Sequence, residues 1–172
     1  VVSINQFPTT KVKEAVDLTR KTGLGVMGWH DCLIRLGIDY DSEEALTLGS
    51  DVMQCINDAA RDVTINLAKD RGAYPGWQVT EMDPNPIRNA TRTCIAPTGT
   101  ISAIAGASSG IEPIFALAFV KNVLDGRTLT EVNVDFERVA TERGFYSEDL
   151  MAEVAKTGSC QDIEGIPDDV KK

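Results

Sequence analysis

The sequence predicts an α/β fold, helix-rich and with a few strands paired in parallel. Three observations carry that prediction. Leu46, Gly49, Met53, Ile56, Ala60, Val63 and Leu67 recur every three or four positions, the spacing of one helix face. A short, largely β-branched run, Thr91 to Ile95, leads into a turn rich in Gly, Thr and Ser and then a small-residue stretch, the order of strand, tight turn and helix. Ile114 to Val120 is almost continuously apolar, as a strand covered on both faces by helices would be.

The elements follow in order. Val1 stands in an extended segment leading to Pro8, and Thr9 or Thr10 caps a helix toward Arg20, with Val12, Ala15, Val16 and the Thr19 methyl on one face. Gly23-Leu24-Gly25-Val26-Met27-Gly28 breaks it, as a strand or turn closely approached by another backbone. Gly23, Gly25 and Gly28 match the dinucleotide spacing G-x-G-x-x-G. A helix rather than a strand precedes them, however, and Asp41 and Glu43 match the required acid only loosely, so close packing is preferred to a nicotinamide site. Trp29 to Leu36 forms a short helix ended by Gly37. Ser42-Glu43-Glu44-Ala45 caps the long helix, which Gly72 closes. Its polar side, with Asp51, Asp58, Asp62 and Asp70, reads as a solvated face before a metal site. Tyr74 to Pro86 is a Pro/Gly/Trp loop, Ser108-Ser109-Gly110 a second turn, and Ile111 to Val123 a buried strand. Amphipathic helices cover Val132 to Arg143 and Ser147 to Lys156, and Pro167 is placed to begin another. No linker or repeat interrupts the chain. Residues 1–172 read as one unit with ends that look cut, a piece of a larger domain.

Composition narrows the function classes. A net charge of -9 gives no basic surface for nucleic acid or anionic membrane, and the apolar run ending at Val120 is too short to span a bilayer. Val1 to Asn5 lacks the pattern of a signal peptide, so the cytoplasm is the expected compartment. Cys32, Cys55, Cys94 and Cys160 are scattered, form no C-x-x-C pair and cannot complete a zinc site with the single His30. They read as reduced thiols, Cys32 and Cys55 as core packing, and His30 as a structural residue before a catalytic one.

Chemistry concentrates at Ala96-Pro97-Thr98-Gly99-Thr100-Ile101-Ser102. Such a loop at a helix N-terminus presents unpaired N–H groups, hydroxyls and the positive end of the helix dipole, enough to hold a phosphate without lysine or arginine. From Thr93 to Val120 the only charged residue is Glu112, which predicts a pocket within buried material. An ordinary βα turn with a Thr or Ser cap carries equal weight on spacing alone. Alternation along the incoming strand sets Arg92, Cys94 and Ala96 on one face and Thr91, Thr93 and Ile95 on the other, and Cys94 reads as a buried inert thiol. Glu112 is expected to pair with backbone amides.

Several of these motifs, in this order, resemble one family. Gly23 to Trp29, Tyr40-Asp41-Ser42-Glu43-Glu44-Ala45, Arg88-Asn89-Ala90-Thr91 leading into Ile95 to Ser102, and Ser108-Ser109-Gly110-Ile111-Glu112-Pro113 are similar to the large catalytic subunit of ribonucleotide reductases. Ile111 to Phe119, followed by Asn122-Val123-Leu124-Asp125-Gly126, looks most like its adenosylcobalamin-dependent (class II) branch. The resemblance implies a ten-stranded α/β barrel, of which this chain is roughly the second half. It also implies reduction of ribonucleoside di- or triphosphates to 2′-deoxyribonucleotides by a thiyl radical, with adenosylcobalamin as cofactor. A ribonucleotide substrate, a thiol reductant such as thioredoxin and a homodimeric full-length protein go with it. The family's Asn-Pro-Cys-Gly-Glu motif is absent, so the radical cysteine, its glutamate and the reducing pair are carried over to no residue, and the chain alone is expected to be inactive. Most cobalamin contacts are expected outside this stretch. What carries over is the phosphate loop, Ala96 to Ser102. The alternatives are a class I subunit served by a separate metal radical subunit, or a non-catalytic phosphate- or nucleotide-binding module.

Overall fold

Helices dominate the computed structural model, which describes residues 2–78, 84–122 and 128–171. Contacts divide the chain into two units: Val1–Val26 with Leu46–Ala96, and Met27–Ala45 with Pro97–Lys172.

In the first unit, α1 (Thr10–Thr19) starts where Thr9 Oγ1 accepts the Val12 N–H and ends where Arg20 turns left-handed. Beyond it, the glycine-rich segment lies beside residues 91–94. Thr22 N–H donates to the Thr91 carbonyl at 3.0 Å, Leu24 N–H to Arg92 at 2.9 Å and Cys94 N–H back to Leu24 at 3.0 Å, a parallel bridge centred on Leu24 and Thr93. Here the glycines are required. A Cβ on Gly25 would stand 2.5 Å from the Cys94 carbonyl oxygen, and one on Gly23 would run into Cys94 Sγ. The spacing that mimics a dinucleotide motif is therefore a close-packing device. Along α3 (Glu43–Arg71), buried Thr64 accepts the Arg88 and Asn89 N–H groups on Oγ1, at 3.0 and 3.1 Å. Arg88 Nη1 caps the far end of that helix by donating to the Arg71 and Gly72 carbonyls, both at 3.1 Å.

In the second unit, α2 (Trp29–Leu36) runs between Gly28 and Gly37, both left-handed. A short α4 (Gly99–Ala105) follows, then β1 (Ala118–Asn122) and β2 (Thr128–Val132), and two helices capped by Asn133 and Ser147, α5 (Val134–Glu142) and α6 (Glu148–Thr157). The core gathers Ala118, Phe136, Ala140, Met151, Val154, Cys160, Ile163 and Ile166.

The strands differ from expectation. β1 and β2 pair antiparallel, Val120 opposite Thr130, instead of joining a parallel sheet. The apolar run predicted as a doubly covered strand enters β1 only at Ala118, and Phe119 and Val120 stay exposed. A run of apolar residues reports suitability for burial but names neither the partner nor its direction. Of Thr91 to Ile95, only Thr93 forms a β-bridge, an isolated one to Leu24. No barrel closes among the described residues; the single parallel bridge and one two-stranded sheet supply too few paired strands. After Pro167 the chain makes a turn instead of a helix, with Val170 and Lys171 N–H groups both returning to the Pro167 carbonyl. Val1, residues 79–83 of the Tyr74–Pro86 loop, the Val123-Leu124-Asp125-Gly126 part of the family resemblance and Lys172 lie outside the described residues.

Candidate functional site

The loop singled out by the sequence crosses the boundary between the units, with Ala96 ending the first and Pro97 opening the second. Within the second unit its geometry is set by Thr98, the N-cap of α4, whose φ of 53° and ψ of 20° are left-handed. A β-branched residue rarely adopts that conformation, because its Cβ crowds the neighbouring carbonyl. What holds it is a hydrogen bond of 2.7 Å from the Gly110 N–H to Thr98 Oγ1. The side chain therefore faces the Ser108–Gly110 turn instead of capping its own helix. The Thr98 carbonyl accepts the Ser102 N–H at 2.8 Å, closing the first helical turn. The first-turn amides of Gly99, Thr100 and Ile101 have no acceptor among the described residues. Gly99 has no heavy atom within 4 Å of where its Cβ would stand, so the backbone is open to approach there.

Ser102 forms the floor. It is 2% exposed, its Oγ lies 3.2 Å from the Gly99 carbonyl oxygen and 3.0 Å from Ser109 Oγ. Thr100 and Ile101 are exposed at the surface.

Sequence reasoning missed the clamp behind the loop. Asp31, buried in the first turn of α2, accepts the Ser108 N–H on Oδ2 at 2.6 Å, and Gly28 N–H donates to the Ser108 carbonyl at 2.8 Å. Tyr40 donates its hydroxyl to the Ile111 carbonyl at 2.8 Å, and His30 Nδ1 accepts the Ile114 N–H at 2.7 Å. Residues 28–40 thus grip residues 108–114, whose Gly110 in turn fixes Thr98. His30 is structural, as expected: its ring meets Tyr40 edge-on at 5.0 Å, and it must be neutral at Nδ1 to accept. Burial pushes its pKa below the usual value and neighbouring Asp31 opposes the shift only in part. The signal available in the sequence was Gly28 followed by an acid in a first helical turn, which marks a helix N-terminus but not the segment it holds.

Other expected residues sit differently. The burial predicted around the loop is not met within this chain: Ile104 is 82% and Phe115 98% exposed. Glu112 is exposed, and its contact with the turn is made by its own N–H to the Ser109 carbonyl instead of by its carboxylate. Cys32, Cys55 and Cys94 are exposed, against the core or buried positions expected for them; only Cys160 is buried, and burial raises its thiol pKa. Cys32 and Cys55 fall on helix positions that turn outward, and Cys94 spends its backbone, not its side chain, on the bridge to Leu24. Asp51, Asp58, Asp62 and Asp70 are all exposed along α3. No described helix is long and apolar enough to cross a membrane.

The described residues form a helix-rich scaffold that presents a Gly/Thr loop with open amides at the start of α4, and comparison with known proteins gives its family. The family described as "Ribonucleotide reductase, barrel domain" matches residues 1–86 and 79–172. The chain belongs to that family, the barrel domain of ribonucleotide reductase large subunits. It is 51% identical over its whole length to a "Vitamin B12-dependent ribonucleoside-diphosphate reductase" of Thermoplasma acidophilum, covering 22% of that protein. It is 45% identical over 99% of its length to a protein of the same description from Mycobacterium tuberculosis, covering 25% of it. Among solved structures it is similar to the Actinobacillus ureae class Id ribonucleotide reductase alpha subunit, with a TM-score of 0.72, 25% identity, and coverage of 92% of this chain and 28% of that one. The chain thus spans about a quarter of the length of these relatives.

Proposed function

We propose that this chain is part of an adenosylcobalamin-dependent ribonucleotide reductase and supplies the loop that holds the substrate's terminal phosphate. The observation that carries the reading is the set of unspent amides at Gly99, Thr100 and Ile101 above a Thr98 locked in left-handed geometry. The amides and the Thr100 hydroxyl donate to phosphate oxygens. Thr98 accepts from Gly110 and keeps its own O–H free to donate. Pro97 presents the main chain toward the ribose, Ala96 leads the chain in, and Ser102 fixes the floor from within. Neutral donors are worth about 1.5–3 kcal/mol each to a charged acceptor before desolvation costs, which favours binding while allowing product to leave.

The reaction is the replacement of the ribose 2′-hydroxyl by hydrogen in a ribonucleoside di- or triphosphate, with electrons from a thiol reductant such as thioredoxin, in a homodimeric full-length protein. Adenosylcobalamin would supply the radical chemistry. The identity of 51% and 45% to relatives named vitamin B12-dependent, against 25% to a class Id subunit, favours that branch. The corrin ring holds the cofactor's own metal, so no cluster of protein ligands is required of this chain, and most contacts to the cofactor are expected outside this stretch. No step is derived through the cofactor. The further proposal, a place in the second half of a ten-stranded barrel, is supported by the parallel bridge at Leu24 and Thr93.

The test is Gly99→Val in the full-length reductase. Loss of close backbone approach raises KM for the nucleotide, and unchanged KM and kcat would reject the loop. Dependence of wild-type activity on added adenosylcobalamin, with no second subunit, tests the class; activity without it rejects that part alone.

A further inference from the structure

The first unit carries a groove of about 590 Å3 that the phosphate loop does not touch. One wall is an apolar stripe of α3 formed by Ile56, Ala60, Val63 and Leu67. Around it stand four arginines, Arg20, Arg71, Arg88 and Arg92, and none of the described lining residues is acidic. The chain has 26 Asp and Glu against 17 Lys and Arg, so four cations meeting without a carboxylate among the described residues run against its overall charge. None of the four takes part in an ion pair among the described residues, whereas Arg35, Arg138 and Arg143 do.

Their donors are also incompletely used. Arg20 Nη2 reaches Ser3 Oγ at 2.8 Å, but Arg20 Nε and Arg92 Nη1 are buried with no hydrogen-bond partner. A guanidinium N–H shielded from water without an acceptor is costly and uncommon. Arg88 confirms the crowding: its pKa is lowered by burial first and then by the charges of Arg20 and Arg71.

We propose that this groove binds a small molecule carrying phosphate groups and a flat apolar body, the phosphates among Arg20, Arg71, Arg88 and Arg92 and the body against the α3 stripe. Guanidinium forks match phosphate oxygens two at a time, and several converging cations suit a multiply charged group better than a single carboxylate. The volume falls in the range of small-molecule sites, about 300–1,000 Å3. The site lies wholly within the first unit and is independent of the proposed phosphate loop.

The test is phenylglyoxal modification of the full-length protein, read by peptide mass spectrometry at Arg20 and Arg92, with and without pyrophosphate at constant ionic strength. Modification of both residues slows about tenfold when pyrophosphate stands at about nine times its Kd, the mass-action factor for one site. Phenyl phosphate protects at lower concentration than inorganic phosphate, because the stripe adds apolar contact. Arg92→Gln abolishes the protection of Arg20 by pyrophosphate. Equal protection by chloride, no protection by pyrophosphate, or arginines already unreactive with no anion added would each overturn the proposal, the last because a protein carboxylate then fills the groove. These readouts report Arg20 and Arg92 alone, so they fail or succeed separately from the Gly99→Val test.

Discussion

Replacing Thr98 separates the two forces that shape the loop. Its φ of 53° costs about 1–2 kcal/mol for a residue with a Cβ, and the 2.7 Å hydrogen bond from buried Gly110 to Oγ1 offsets that cost. Thr98→Val keeps the shape and the backbone strain but removes the acceptor. Gly110 N–H is then left without a partner, and the variant loses about 1–3 kcal/mol of stability. Thr98→Gly loses the same acceptor while releasing the strain, so it is more stable than Thr98→Val by about 1–2 kcal/mol. Urea unfolding of the three proteins, compared at equal m values, measures both differences. A Thr98→Val protein as stable as wild type would refute the lock. A Thr98→Gly protein no better than Thr98→Val would refute the strain.

Further outcomes follow from the same coordinates. Gly99→Val, with no heavy atom within 4 Å of its Cβ, changes stability by no more than about 0.5 kcal/mol yet raises KM in the full-length reductase about tenfold, the worth of one hydrogen bond; thermal melts and steady-state kinetics check the split. Gly25→Ala forces a Cβ to within 2.5 Å of the Cys94 carbonyl oxygen and costs about 1–3 kcal/mol, read from the urea midpoint. Asp135→Asn weakens the bonds from Arg35 Nε at 3.0 Å and Arg138 Nη2 at 3.4 Å to a buried carboxylate and costs about 1.5–3 kcal/mol, less than a fully buried pair because both arginines reach solvent. For His30, the folded pKa lies below the unfolded 6.5, so the unfolded chain binds more protons between the two values. Its contribution is full above pH 6.5 and disappears as pH falls through the folded pKa. The stability difference between wild type and His30→Asn should shrink over that window, and a constant difference would contradict the assignment.

The helices were legible because their signals are local. Thr9, Asn133 and Ser147 cap through hydrogen bonds to amides two or three residues on, and Gly37 and Gly158 end helices through their own φ. No distant partner has to be known to read them. Strands require one. Ala118 to Asn122 lies beside Thr128 to Val132, and nothing in an apolar run states that the neighbour comes next in the chain and in the opposite direction. Burial failed for the same reason: Phe115 and Ile104 are suited to a core, but exposure depends on which surfaces meet them.

The candidate site divides along the same line. The residues proposed to face a ligand, Thr98 to Ile101, stand in one short stretch and can be singled out from it, although spacing alone gives an ordinary βα turn equal weight. The residues that aim them come from far away: Asp31 reaches Ser108 across 77 positions and His30 reaches Ile114 across 84. Asp31 holds the Ser108 turn, the turn presents Gly110, and Gly110 fixes the backbone twist of Thr98 that opens the next three amides. Loss of Asp31 should therefore reach the phosphate loop without touching it. Asp31→Asn lets the Ser108 turn relax, and, if the loop holds the phosphate as proposed, the full-length protein binds nucleotide more weakly although every proposed contact residue remains. The distinguishing measurement is the double variant. If Asp31 acts through Thr98, then Asp31→Asn costs little further binding once Thr98→Val is present, whereas additive losses would mean that the two side chains work separately.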